Sequence, residues 1–145
     1  FKNLSIEILK KKPIFKIYGT DYPTADGTCV RDYIHVSDIA EIHYKVLRAI
    51  NKKNKSKILN CGYGIGVSVN ESVNEFKKYA NKNIKILKLS KRKGDMVKIT
   101  ADNRNLKKFI NWKPLSNKLS VIVKSCIDWE KRINRWLFDY IINFY

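Results

Sequence analysis

Cysteine is scarce in this sequence: Cys29, Cys61 and Cys126 are the three cysteines among 145 residues. The number is odd, and no two of them form a C-x-x-C pair. A disulfide framework and a zinc site both need grouped cysteines, so the sequence argues against each of them. The same scarcity is typical of a reducing compartment, and we expect a cytoplasmic protein.

Long apolar runs are also lacking. No run reaches the roughly 20 residues that a membrane-spanning helix needs, and no secretory signal is visible. The stretch WLFDYIINFY (136–145) is apolar but short, and Asp139 interrupts it, so we interpret it as a packing or dimer-contact tail. The chain begins at Phe1 inside a segment that already looks structured, which leads us to expect a further part upstream.

Acidic residues are few, with 13 Asp and Glu against 30 Lys and Arg and a net charge of +17. Such an excess favours a phosphate-rich partner such as nucleic acid. However, the excess is mostly scattered lysine, and it accompanies abundant Asn and Ile, as an AT-rich coding sequence would produce. No nucleic-acid-binding motif is recognisable. We therefore keep a basic nucleic-acid-binding module only as the weaker alternative.

Hydrophobic periodicity predicts alternating helices and strands, which is typical of an α/β or α+β domain. The predicted helices are 3–12, 39–50, 69–81, 103–111 and 119–137, and the predicted strands are 14–18, 32–36, 57–62, 83–89 and 96–100. Ser37 or Asp38 is the predicted N-cap of the second helix. Ser68 is the predicted N-cap of the third, with Glu71 completing a capping box.

The glycines of CGYGIGV (61–67) follow a predicted strand and precede a helix, as in a dinucleotide-binding loop. Val67 stands where the third glycine of G-x-G-x-x-G belongs, and no acid follows about 20 residues later. We therefore interpret this stretch as a strand-to-helix turn. His35 and His43 have no partner pattern for nucleophilic or metal chemistry, so we expect them to be structural or surface residues.

The loop KRKGD (91–95) carries the first candidate binding residues. Gly94 permits a tight turn, so Arg92 and Asp95 are able to face one ligand, a guanidinium suiting a phosphate and a carboxylate a sugar diol. Arg31 leaves a second turn-rich loop. Two arginines that contact one diphosphate would match its charge. The sequence spacing does not show whether the Arg31 loop and the KRKGD loop meet. A solvated basic loop is an equal alternative for KRKGD.

Three segments together resemble the UDP-glucose 4-epimerases. They are YGTDYPTADGTCVRDYIHVSDIA (18–40), ILNCGYGIGVSVNESVNEF (58–76) and KRKGDMVKITADNRNLKKFINWKP (91–114). The resemblance implies an extended short-chain dehydrogenase/reductase fold. Residues 1–145 would be its C-terminal UDP-sugar-binding region, with parts near 30–65 returning to the Rossmann sheet and the N-terminal dinucleotide-binding half missing.

The resemblance also implies roles for individual residues. Arg31 and Arg92 would grip the diphosphate, and Asp95 would bind the uridine ribose. The strand Lys16, Ile17, Tyr18 would lie along the uracil with its backbone. Ile99 would line the sugar pocket, where its bulk would bear on whether an N-acetyl group is accepted.

Departures from the family pattern concern specificity and chemistry. Thr20, Cys29 and Lys93 differ from the usual residues, which bears on fine specificity. The NAD-binding G-x-x-G-x-x-G loop and the catalytic Tyr-x-x-x-Lys pair are absent. Four positions after Tyr44, where the motif needs lysine, stands Arg48, and four positions after Tyr79 stands Asn83. We expect the catalytic Ser or Thr, Tyr and Lys, and the NAD site, upstream of Phe1.

The implied reaction moves a hydride from C4 of the hexose to NAD and back to the other face, interconverting UDP-glucose and UDP-galactose. We expect this segment to bind the UDP-sugar, to be inactive alone, and to belong to a homodimer when complete. The alternatives are a 4-epimerase of N-acetylated UDP-sugars, another nucleotide-sugar epimerase or dehydratase on the same fold, and the basic module above.

Overall fold

A computed structural model describes the backbone of residues 1–50 and 56–142 and the side chains of 1–50 and 56–135. Within these residues helices and short strands alternate. The helices are α1 Lys2–Leu9, α2 Val36–Ala49, α3 Val69–Lys77, α4 Arg104–Ile110 and α5 Leu119–Ile142. The strands are β1 Ile14–Tyr18, β2 Val30–Arg31, β3 Val67–Ser68, β4 Lys85–Leu89 and β5 Lys98–Ile99.

The strands form two small sheets. In the first, β1 pairs in parallel with β4. In the second, β2 lies between β3, with which it is antiparallel, and β5, with which it is parallel. Because β5 follows the KRKGD loop and pairs with β2, which carries Arg31, sheet pairing brings the two candidate loops side by side.

The larger core lies beneath the first sheet. Strand alternation turns Phe15 and Ile17 inward, where they are 0% and 3% exposed. They pack against apolar residues of α1, α3 and α5, namely Ile8, Val73, Phe76, Val123 and Ile127. Burying each such side chain contributes about 1.5–3 kcal/mol, so this core fixes β1 and leaves its other face for the site.

A second core lies under α2 and fixes the glycine turn. Its buried residues are Ile42, Tyr63, Leu106, Trp112 and Ile122. The Tyr63 phenol donates to the Asp38 carboxylate at 2.6 Å, and Asp38 also accepts backbone N–H groups of Leu115 and Ser116. Burial and the Asp38 hydrogen bond raise the pKa of Tyr63, which stays a neutral donor.

The predicted N-cap of α2 is wrong. The cap is His35, whose Nδ1 accepts the Ser37 N–H at 3.1 Å, while Nε2 lies 2.9 Å from the Ser125 hydroxyl. Asp38 is 1% exposed and its carboxylate is used by the second core. The expected structural role of His35 is therefore confirmed.

Two predicted strands are also wrong. Residues 32–35 form no strand, because the Asp32 side chain anchors this segment to other loops, and Val36 already belongs to α2. Residues 57–62 form none either, and Ile58 is 95% exposed. An apolar run forms a strand only when a neighbouring strand pairs with it, and none of the described strands pairs with residues 57–62.

Other predictions are confirmed, including β1, β4 and the capping box of α3, in which Ser68 Oγ accepts the Glu71 N–H and Glu71 accepts the Ser68 N–H. No described helix combines the length and apolar character needed to cross a membrane. The side chains of the tail 136–145 and most of the connector 51–57 lie outside the described residues.

Candidate functional site

A cavity of about 260 Å³ opens between β1, β2, α3 and the KRKGD loop. Its lining includes five of the seven predicted binding residues, Lys16, Tyr18, Arg31, Arg92 and Asp95. The Arg31 loop and the KRKGD loop therefore meet at this cavity, which the sequence alone did not show.

Asp95 lies between the two arginines. Arg92 Nε donates to Asp95 Oδ2 at 2.9 Å, and Arg31 NH2 lies 3.9 Å from Asp95 Oδ1. Two guanidiniums share one carboxylate, so this group of three carries a net positive charge. A ligand with two negative charges would complement it better than a neutral one.

Tyr18 supports the Arg92 guanidinium, whose central carbon lies 4.6 Å from the ring centroid. Such stacking contributes about 0.5–1 kcal/mol at an exposed site. Nε is the nitrogen that donates to Asp95. The outer NH1 and NH2 edge makes no hydrogen bond to the described residues. That edge has the fork geometry that binds phosphate oxygens in pairs.

Glycines shape both loops. Gly94 has φ +85°, and the Asp95 N–H closes the turn onto the Arg92 carbonyl at 3.2 Å. Gly27 has φ +77°, and a Cβ there would lie 2.2 Å from the Thr20 carbonyl oxygen. A side chain at either position would therefore strain the backbone, and at Gly27 it would also collide.

Asp26 ties the first loop to α3. Its carboxylate accepts the Thr28 N–H at 2.9 Å and the Ser68 hydroxyl at 2.5 Å. Partial burial opposes ionisation of Asp26, but hydrogen bonds from Ser68 and Thr28 outweigh it and hold its pKa below the ordinary value. Asp26 thus joins the Arg31 loop to the N-terminus of α3.

Asp32 performs the same task on the other side of Arg31. Its carboxylate accepts N–H groups of Tyr63 at 3.0 Å, Gly64 at 2.8 Å and Ala101 at 3.1 Å. A Cβ on Gly62 would lie 2.7 Å from Asp32 Oδ2, so glycine is needed for this close approach. The glycine-rich stretch leads into β3 and α3 as a turn, as predicted, but none of the described strands directly precedes it, and its anchor Asp32 was not foreseen.

The backbone of β1 presents one open edge. Lys85 N–H bonds to Pro13 O and Gly19 N–H to Leu89 O, and in a parallel ladder every second residue bonds to the same neighbour. Ile17 therefore faces β4 with its backbone and the core with its side chain. The N–H and C=O groups of Lys16 and Tyr18 point to the other edge, with which no described strand pairs.

Ile99 lies in an adjacent cavity of about 590 Å³, where its side chain is 47% exposed. Arg31 and Tyr33 line both cavities. Tyr33 was missed in the sequence, although its spacing of two from Arg31 on an extended segment was a usable signal. Burial raises the pKa of Tyr33, so its phenol stays neutral.

The described residues contain no group of three or more His, Cys, Asp or Glu side chains able to hold a metal ion. His43 is exposed on α2, and its Nδ1 lies 2.8 Å from the Ile39 carbonyl oxygen. Cys29, Cys61 and Cys126 are free thiols.

Comparison with known proteins gives a consistent result. The model of the NAD dependent epimerase/dehydratase family matches residues 3–62. A UDP-glucose 4-epimerase of Azospirillum brasilense is 36% identical over 128 residues, which cover 88% of this chain and 37% of that protein. Residues 3–62 carry a domain of the NAD dependent epimerase/dehydratase family. The chain spans somewhat over a third of the length of the Azospirillum relative.

Solved structures of the family share the fold. A UDP-Glc/GlcNAc 4-epimerase from Campylobacter jejuni matches with a TM-score of 0.81 and 37% identity, over 90% of this chain and 40% of that one. A UDP-glucose 4-epimerase from Stenotrophomonas maltophila, with bound NAD and formylated UDP-arabinopyranose, matches with a TM-score of 0.80 and 30% identity, over 92% and 39%. The predicted α/β fold class is confirmed.

Proposed function

We propose that this chain is the UDP-sugar-binding part of a nucleotide-sugar 4-epimerase that interconverts UDP-glucose and UDP-galactose. The observation that carries the proposal is the meeting of Arg31 and Arg92 on either side of Asp95 in one cavity. These residues come from distant parts of the sequence, and a solvated loop gives no reason for them to converge.

Each part of a UDP-sugar has a complementary group in this cavity or in the adjacent one. Arg31 and the outer edge of Arg92 suit the diphosphate, whose charge of about −2 they match. Asp95 suits the ribose diol, since a carboxylate accepts from two hydroxyls at once. The free N–H and C=O groups of Lys16 and Tyr18 suit the uracil edge. Ile99 lines the adjacent cavity together with Arg31, which supports a sugar position there.

The glycine turn of residues 61–67 offers no fitting place for NAD. A dinucleotide pyrophosphate needs free N–H groups at a glycine turn, but those of Tyr63 and Gly64 already donate to Asp32. The space beside Gly62 is filled by Asp32 and Ala101. We therefore assign NAD binding and the catalytic Ser or Thr, Tyr and Lys to residues outside this chain. The chain itself would bind and orient the sugar nucleotide.

Calorimetric titration of UDP into the chain tests the proposal. Arg92→Ala removes one phosphate donor and should weaken UDP binding at least about tenfold, because charge-assisted hydrogen bonds are worth about 1.5–3 kcal/mol. Arg48→Ala is the matched control: Arg48 also stacks on a tyrosine, at 5.8 Å from the Tyr44 ring, but lies outside the cavity. Equal affinity in all three proteins would refute the proposal.

The substrate has a second candidate. The Campylobacter relative is a UDP-Glc/GlcNAc 4-epimerase, and Ile99 lies beside the proposed sugar position. An N-acetylated UDP-sugar is therefore the alternative substrate. Assaying the complete enzyme on UDP-glucose and UDP-N-acetylglucosamine separates the two, and Ile99→Ala should raise the second activity relative to the first.

We also propose that the chain alone does not turn over UDP-glucose, because its sequence lacks the Tyr-x-x-x-Lys pair and its described glycine turn does not fit NAD. An epimerase assay of the chain with added NAD tests this, and any turnover above the buffer rate contradicts it. A cytoplasmic location and a homodimer of the complete enzyme remain predictions, to be checked by fractionation and by sedimentation.

A further inference from the structure

Lys91, the residue before Arg92, bridges the two loops of the site. Its Nζ lies 3.0 Å from Asp21 Oδ2 and donates to the Asp21 carbonyl at 3.1 Å. The same ammonium lies 4.6 Å from the centroid of the Tyr22 ring. One side chain of the KRKGD loop is therefore held by three groups of the loop that follows β1.

The surface that receives Lys91 is well fixed. Tyr22 is 7% exposed, and its N–H bonds to the Gly27 carbonyl at 2.9 Å. A Cβ on Gly19 would lie 2.3 Å from the Tyr22 ring and 2.8 Å from Lys91 Cγ. Glycine at 19 thus lets the ring and the lysine stem lie together against the backbone at the end of β1.

Lys91 and Arg92 make parallel contacts on two tyrosines. The Arg92 guanidinium stacks on Tyr18 at 4.6 Å, and the Lys91 ammonium lies over Tyr22 at the same distance. The Arg92 side chain is 62% exposed, so little packing besides Tyr18 and Asp95 restrains it. Consecutive cations also repel one another, and the Asp21 carboxylate offsets the charge of Lys91.

We propose that Lys91 is a positioning residue for the diphosphate site, holding the KRKGD loop against the Asp21–Tyr22 loop so that Arg92 faces the cavity. The inference rests on the proposed function, since it assumes that Arg92 binds phosphate. Lys91 does not line the cavity, and its ammonium is engaged by Asp21, so it acts through Arg92 and not on the ligand.

A double-mutant cycle measured as UDP affinity of the chain tests this. Lys91→Met keeps the stem and removes the charge, and it should weaken UDP binding about three- to thirtyfold, the range for one exposed ion pair plus one cation–π contact. Asp21→Asn should weaken it by less, because the Asp21 carbonyl remains. The double variant should bind UDP as Lys91→Met does, because the Asp21→Asn change removes an ion pair that Lys91→Met has already removed.

Two variants control for loss of charge and for general damage. Lys91→Arg reaches the same partners and should bind UDP within about twofold of the unaltered chain. Lys93→Met makes the same charge change two residues away and should also bind normally. The inference is wrong if Lys91→Met binds UDP as well as the unaltered chain does. It is also wrong if the affinity losses of Lys91→Met and Asp21→Asn add up in the double variant.

A second measurement does not use UDP. The Asp95 N–H closes the turn onto Arg92, and its hydrogen exchange reports on opening of that turn. Lys91→Met should speed exchange of this amide about threefold or more, and Lys93→Met should leave it unchanged. Unchanged exchange in Lys91→Met overturns the inference. If the unaltered chain fails to bind UDP, the proposed function falls, while this exchange rate still decides the role of Lys91.

Discussion

At the scale of single residues, three charged side chains of the cavity are partnered with one another, because Asp95 is shared by Arg31 and Arg92. Outside the cavity lining, Lys91 is held by Asp21. A bound diphosphate would have to compete with Asp95 for the guanidiniums, so its net gain is smaller than its charge suggests. The same carboxylate would gain a new partner in the ribose, which offsets part of that competition.

Asp95→Asn separates these two effects. Inorganic pyrophosphate has no ribose, so removing the competing charge should tighten its binding about threefold, an increment typical of a partly exposed ion pair. UDP would lose the carboxylate contact to its diol, so its affinity should not rise in parallel. Calorimetry with both ligands measures the ratio of the two affinities. A parallel gain for UDP and pyrophosphate would show that Asp95 does not contact the ribose.

Replacing the two loop glycines, Gly94 and Gly27, with alanine should lower the free energy of unfolding by different amounts. Gly94 has φ +85°, and a Cβ there would meet no atom within 4 Å, so alanine suffers backbone strain alone. Gly94→Ala should therefore lower the free energy of unfolding by about 1 kcal/mol. At Gly27 the Thr20 carbonyl adds a collision, so Gly27→Ala should cost more than about 2 kcal/mol. Urea unfolding of both variants measures this order, and a reversed order would contradict it.

At the scale of elements, the capping box of Ser68 and Glu71 was predictable because it is fixed within three residues. The alternating patterns of β1 and β4 were also predictive, because these two strands find each other as partners although about 70 residues separate them. The predicted strands 32–36 and 57–62 failed because pairing depends on distant segments. Asp32 bonds to groups 31, 32 and 69 residues away, and no local pattern encodes those partners.

The same limit explains how much of the site was predictable. The residue types at Arg31, Arg92 and Asp95 indicated phosphate and diol chemistry, but only the pairing of β2 with β5 brings them together. Lys91 was unremarkable in the sequence because its partners, Asp21 and Tyr22, lie about 70 residues away.

Ser68 should stabilise more than one element. Its hydroxyl oxygen accepts the Glu71 N–H at 2.9 Å while its proton goes to Asp26 at 2.5 Å. Ser68→Ala should therefore lower the free energy of unfolding by about 1–2 kcal/mol, the upper part of the range for N-caps. Asn70→Ala, on the same helix, is the control. In a Ser68→Ala, Asp26→Asn double variant the two losses should overlap; simple additivity would contradict the shared hydrogen bond.

The Asp26 link should also depend on pH. Its pKa is lower in the folded chain than in the unfolded one, so the stability it contributes is present above the unfolded pKa and is lost as pH falls through the folded pKa. The stability difference between the unaltered chain and Asp26→Asn should be constant from about pH 7 to pH 5 and shrink toward pH 3. Urea unfolding across this range measures it, and a difference that grows on acidification would contradict the assignment.

At the scale of the whole molecule, two kinds of positive charge coexist. The net charge of +17 is spread over the surface, whereas the two cavity arginines face one small volume. Screening separates these contributions, because the Debye length is about 8 Å at physiological salt. A diffuse surface field weakens steeply as salt rises, while contacts at hydrogen-bond distance weaken little.

We therefore expect duplex DNA and UDP to respond differently to salt. Any DNA binding should fall about tenfold or more between roughly 50 and 200 mM salt, because it rests on released counterions. UDP binding should fall only a few-fold over the same range and should stay sensitive to Arg92→Ala at 200 mM. Titrating both ligands at the two salt concentrations measures this. DNA binding that survives 200 mM salt, together with UDP binding that does not, would favour a nucleic-acid-binding module over the proposed sugar-nucleotide site.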